Sequence, residues 1–134
     1  MLSWNNWLAQ ARASLNAGVV LQNNAVHFMA CFSFEQAAEM ALKAGLDALA
    51  IDHHGHYLPG LLRDLATTRK VDLPERVASA ARRLTRLYIP TRYPDAEGGV
   101  PAENYDADDA RQAHADADEI MKFVLEGLSE TDRG

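Results

Sequence analysis

A chain of 134 residues fits one domain and is long enough to bury a core without metal or disulfide staples. Its 48% hydrophobic and 24% charged residues are ordinary for a globular protein, and a net charge of −6 excludes a general nucleic-acid coat. The single cysteine, Cys31, excludes an internal bridge and points to a reducing cytoplasm; the start, MLSWNNWLAQAR, lacks the basic and apolar stretches of a signal peptide, and no apolar run reaches the roughly 20 residues of a membrane span.

Ser3 suits a helix cap, and Trp4, Trp7, Leu8, Ala11, Leu15 and Val19 then recur at helical spacing, predicting a first helix over about 3–21. QNN at 22–24 reads as the break, with Asn23 or Asn24 as the next cap. A second helix over about 25–51 is apolar on most sides and rich in alanine, as a central helix packed by neighbours should be. IDHHGHYLPG ends it, and a short helix over about 57–67 carries Leu58, Leu61, Leu62 and Leu65. Pro74 suits the first position of a fourth helix, whose inner face is Val77, Ala81, Leu84 and Tyr88 and which must stop before Pro90. A surface loop, PDAEGGVPAENYDA, leads to a last helix over about 107–129 with an inner stripe of Ala110, His114, Ala117, Met121, Val124 and Leu128. Without a strand pattern, residues 1–134 read as one all-α domain, an up-and-down antiparallel bundle of about five helices.

Charge is unevenly spread: residues 1–62 carry −2, residues 63–92 carry +5 and residues 93–134 carry −9. Within the basic segment Arg76, Arg82, Arg83 and Arg86 fall inside an arc of about 120° on the fourth helix, with Arg92 just past its end. Such a stripe is either a face that balances the acidic last helix or a phosphate site, since arginine forks match phosphate oxygens. On the second helix Glu35, Gln36, Glu39 and Lys43 fall within about 100°, a solvated seam or one polar wall of a cleft.

In YIPTRYPD, residues 88–95, both Ile89 and Tyr93 precede a proline and favour extended backbone, on which consecutive side chains diverge. Tyr93 is therefore expected against the bundle, Arg92 at the mouth, and Asp95 bonded to the turn or orienting Arg92. His53, His54 and His56 lack the paired spacing of a zinc site, so no metal and no cofactor is expected. Cys31 reads as a core residue.

Four stretches together resemble the HEPN domain family: FSFEQAAEMALKAGLDAL on the second helix, GHYLPGLL opening the third, RLYIPTRYPD closing the fourth and YDADDA opening the last. The resemblance covers nearly the whole chain and points to the branch marked by T-R-Y-P-D. It implies a bundle of about five helices that commonly dimerises, binds nucleotide or RNA, and often acts beside a small nucleotidyltransferase in a toxin–antitoxin-like pair. Catalytic members of the family are metal-independent ribonucleases with an arginine and a histidine separated by four to six residues. Here no arginine has such a partner: Arg86 reaches Arg92 at that spacing, and Arg111 stands only three positions before His114. Without that histidine no group of suitable pKa takes the ribose proton, which argues against an enzyme.

The expected function is accordingly phosphate binding by Arg92, Arg86, Arg83 and Arg82, walled or supported by Tyr93, Asp95, Glu35, Gln36, Glu39, Lys43 and His56, in a non-catalytic partner of a nucleotidyltransferase. The rivals are a degenerate or unconventional metal-independent ribonuclease and a purely structural dimerisation module. A homodimer is expected because Trp4, Trp7 and the broad apolar surface of the second helix are hard to cover within one chain.

Overall fold

The structure, a computed structural model, describes residues 4–89, 91–94 and 99–133. It is all-helical over those residues: α1 (Trp4–Asn23), α2 (His27–Ala48), α3 (Leu58–Arg69), α4 (Glu75–Thr85), the single turn α5 (Pro101–Asn104) and α6 (Ala107–Arg133). No helix among them is long and apolar enough to cross a membrane. The expected bundle is present. The addition is α5, a turn inside the stretch read as loop, with Pro101 at its start, where a missing N–H costs nothing.

Helix α2 is the central element, packed chiefly by α1 and α6 and also touched by α3, α4 and α5. Its alanines allow that closeness: Ala30, Ala37, Ala38, Ala41 and Ala44 are all buried. Gly18 of α1 sits so near the Phe34 ring that a Cβ there would overlap it. Burying Phe34 completely is worth roughly 1.5–3 kcal/mol, and its opposite neighbour is the His114 ring, stacked at 4.7 Å. The expected stripe of α6 faces inward, joined by Ala113 and Ile120.

Two expectations at the N-terminus fail. Trp4 is buried in the single chain, and Trp7 is half-buried against the same core and the His53 ring, 5.5 Å away. The tryptophans therefore pack within the chain rather than standing out from it. Nor do Asn23 or Asn24 cap α2: its N-cap position is Val26, and Asn24 instead bonds back to the Val20 carbonyl.

The ends of α1, α2 and α3 share one device. Ala25, Ala50 and Lys70 take left-handed backbone, with φ of 60°, 57° and 58°. The following N–H groups, of Val26, Ile51 and Val71, bond back to the carbonyls of Leu21, Leu46 and Ala66. This is the double closure that usually selects glycine. It ends α2 at Ala48, short of the expected 51.

Helices α4 and α6 meet through Val77, Ala80, Ala81 and Leu84. Flanking that apolar strip, Arg83 makes two bonds to Asp116, at 2.8 and 2.9 Å, and Arg76 reaches Glu119 at 3.1 Å. Much of the basic stripe thus balances the acidic last helix.

Candidate functional site

One face of α2 brings Phe32, Glu35, Gln36, Glu39 and Lys43 into line over three turns. Across from it lie the α2–α3 link and the turns that follow α4. Thr85, the last residue of α4, ties these together. Its hydroxyl accepts the Leu58 N–H at 3.1 Å, at the start of α3, and donates to the His56 carbonyl at 3.3 Å. The tie holds His56 beside Tyr88, whose ring stacks on the imidazole at 4.2 Å.

Beyond α4 the backbone keeps turning. The Ile89 carbonyl accepts from the N–H groups of both Arg92 and Tyr93, at 3.0 and 3.1 Å. This tight turn changes two outcomes. Arg92 and Tyr93 converge, the guanidinium carbon lying 5.0 Å from the Tyr93 ring. Tyr93 is not buried against the bundle but 47% exposed, so its loss cannot carry the cost of a core aromatic. Arg92 follows Tyr88 by one helical turn, donates Nε–H to the Tyr88 carbonyl at 3.2 Å, and lies over the Tyr88 ring at 4.2 Å and the Phe32 ring at 5.2 Å. Three aromatic faces hold the charge by its attraction to their π clouds. Among the described residues no carboxylate pairs with Arg92, and the residue is exposed.

Beneath the rim the polar line of α2 is a buried wall, not a solvated seam. Glu35 is 0% and Glu39 4% exposed. Glu39 is shared: Oε2 accepts from Lys43 Nζ at 3.0 Å and Oε1 from His56 Nδ1 at 2.9 Å. Glu35 accepts from the Gln36 amide at 2.7 Å through Oε1, while its buried Oε2 has no hydrogen-bond partner. Burial, with Glu39 adding to it, pushes the Glu35 carboxyl up to about 8, against the pull of the Gln36 bond and of Arg92 and Lys43. Glu35 therefore holds its proton at neutral pH, so that no carboxylate among the described residues offsets the charge of Arg92.

Of the residues expected to act together, Arg92, Tyr93, Glu35, Gln36, Glu39, Lys43 and His56 do converge. Arg82 and Arg83 do not join them. Arg82 is held by Glu75 at 2.6 Å, a bond that lowers the Glu75 pKa, and Arg83 is committed to Asp116. Arg86 is exposed, with no acidic partner among the described residues. Asp95 lies outside the described residues. The three clustered histidines go separate ways: His53 bonds to Asp47 at 2.8 Å, His54 is exposed and His56 joins Glu39. Among the described residues no group of three His, Cys, Asp or Glu side chains is arranged to hold a metal. Burial pushes the Cys31 thiol up to about 12, so it is an inert core group.

Sequence reasoning missed Phe32 and Tyr88 as site residues. A signal was present for both: an aromatic ring precedes each key polar residue by one turn, Phe32 before Glu35 and Tyr88 before Arg92. Also missed was an apolar groove of about 340 Å³ beside Arg92, between Phe28, Met29 and Phe32 of α2 and the Val100–Pro101 approach to α5. A larger cavity of about 520 Å³ lies elsewhere, between α3, α4 and α6. There Glu119 holds Arg76, and Arg69 donates to the Phe123 and Val124 carbonyls, so its cations serve the packing of α6.

Residues 4–128 match the family model described as HEPN domain. Among solved structures the chain is similar to TT1696 from Thermus thermophilus, with 39% identity, a TM-score of 0.88 and coverage of 95% of this chain and 99% of that one. It is also similar to ST0689, an archaeal HEPN homologue, with 29% identity, a TM-score of 0.79 and coverage of 94% and 98%. A HEPN domain protein from Thermotoga maritima, at 24% identity, a TM-score of 0.75 and coverage of 92% and 98%, shares the fold. No curated protein matches the chain.

Proposed function

The chain belongs to the HEPN domain family, and on that premise we propose that it binds the phosphate of a nucleotide or of RNA through Arg92, as the non-catalytic partner of a nucleotidyltransferase in a toxin–antitoxin-like pair. The observation that carries the phosphate reading is the state of Arg92: an exposed cation braced by three rings and one carbonyl, near a buried carboxyl that holds its proton. A guanidinium so held loses little entropy when it grips an oxyanion. Lys43 and His56 Nδ1 are committed to Glu39 and support the wall, while Arg86 is exposed with no acidic partner among the described residues. Arg82 and Arg83 leave the proposal, because their forks are occupied. The pairing with a nucleotidyltransferase and the homodimer rest on the family resemblance alone; co-purification with a co-expressed nucleotidyltransferase tests the first and sedimentation the second.

A second reading, an unconventional metal-independent ribonuclease, draws on one observation. His56 is half-exposed and its Nδ1–H donates to Glu39, which orients a ring able to take a proton through its other nitrogen. Calorimetric titration of wild type and Arg92→Ala with a mononucleotide, beside an RNA cleavage assay without metal, separates the two. Binding that Arg92→Ala weakens by roughly 1.5–3 kcal/mol, without cleavage, supports the binding protein. Cleavage that His56→Ala abolishes establishes the enzyme instead, and no binding by wild type defeats the phosphate reading.

A further inference from the structure

The groove beside Arg92 adds something that phosphate binding alone does not need. Phe32 belongs to both features: its ring lies under the Arg92 guanidinium and also lines the groove. Arg92 is exposed and itself lines the groove, so an oxyanion on its guanidinium has the rest of its molecule at the groove mouth. The described groove walls are apolar, from Phe28, Met29, Phe32, Val100 and Pro101, and Val100 is 49% exposed. The volume of about 340 Å³ is near the lower end of ligand sites, enough for one ring system and too small for a chain of them. Apart from Arg92 the polar side chain in the lining is Thr91, which is fully buried and already donates its hydroxyl proton to the Leu87 carbonyl.

Resting on the phosphate reading, we infer that this groove is a base subsite: the ligand is a nucleotide whose phosphate lies on Arg92 and whose base enters between the α2 aromatics and the Val100–Pro101 segment. The base is held by stacking and burial, since among the described lining side chains Arg92 is taken by the phosphate and the Thr91 hydroxyl proton by the Leu87 carbonyl, and such contact is tolerant of base identity. Specificity is then for a ring joined to a phosphate, not for a particular base.

Calorimetric titrations with inorganic phosphate, adenosine, AMP, UMP and octanoate test this. AMP should bind at least tenfold more tightly than inorganic phosphate, with UMP within a few-fold of AMP and octanoate far weaker. Ala102→Trp, at an exposed position on the groove wall, should fill the groove, bring AMP down to the affinity of inorganic phosphate and leave phosphate itself unchanged, with its melting temperature checking the fold. Phe32→Ala should weaken AMP more than phosphate. AMP binding no better than phosphate, an AMP advantage that survives Ala102→Trp, or octanoate matching AMP overturns the base subsite while leaving the phosphate reading in place. If neither phosphate nor AMP binds wild type, both fall together.

Discussion

Glu35 is the residue on which the site's chemistry turns, because its two states give Arg92 different surroundings. Its carboxyl is raised from 4.5 to about 8, mainly by burial. The folded state therefore favours the protonated form, and the stability this lends is fully present below about pH 4.5 and lost as pH rises through about 8. Each unit of such a shift corresponds to roughly 1.4 kcal/mol, so the loss amounts to a few kcal/mol. Melting curves from pH 6 to 9 should show wild type falling while Glu35→Gln, equal in shape and unable to ionise, does not share that fall. Parallel curves would show that the carboxyl is solvated. Phosphate affinity should decline over the same alkaline range, as ionised Glu35 neutralises Arg92. The arc of polar residues on α2 was legible in the sequence, but its burial was not. The groups that cover it, His56, Tyr88 and Arg92, come from later segments, and helical periodicity carries no information about which segment folds over which face.

At the scale of elements, the sequence was clear wherever a signal is local. Leucines and alanines at helical spacing give α3, α4 and α6 within a few residues, and the inner stripe of α6 faces inward as expected. The end of α2 was not legible, because Ala50 occupies a left-handed position where glycine would have marked the stop. The role of the basic stripe on α4 was also hidden: spacing shows that four arginines share a face, while only the α4–α6 contact shows that Asp116 awaits one of them. Asp116 is 3% exposed and Arg83 is partly open to solvent, so the pair is asymmetric. Removing the arginine strands a buried carboxylate that, among the described residues, keeps only Gln112, at 3.0 Å. Arg83→Met should therefore lower stability by about 1–3 kcal/mol, whereas Asp116→Asn frees an arginine that water can solvate and should cost less. Both variants should bind nucleotide as wild type does. Weaker binding by Arg83→Met at unchanged stability would return that arginine to the phosphate site.

For the whole molecule, charge decides what kind of nucleic-acid ligand can bind. The net charge is −6, with −9 in residues 93–134. Of the arginines in the basic segment, Arg76, Arg82 and Arg83 are paired with carboxylates and Arg69 donates to helix carbonyls. Apart from Arg63, which is exposed on α3, that leaves Arg92 and Arg86, at the end of α4, to face an anion. A polyanion laid across this surface would gain one or two contacts and meet repulsion from the acidic helix for the rest of its length. Binding should therefore saturate at one nucleotide. In a salt series, log affinity should fall with log salt at a slope of about −0.7 for one phosphate on a single strand, or about −1.4 if Arg86 takes a second. A ten-nucleotide oligouridine should bind no more tightly than UMP beyond the statistical gain from its number of equivalent positions. Affinity that climbs steadily with RNA length, with a slope of about −3 or steeper, would mean that the basic segment forms a continuous track. In that case the carboxylate pairs on α4 must open in the complex, and Arg82 and Arg83 would be ligands of the phosphate chain rather than struts of the bundle.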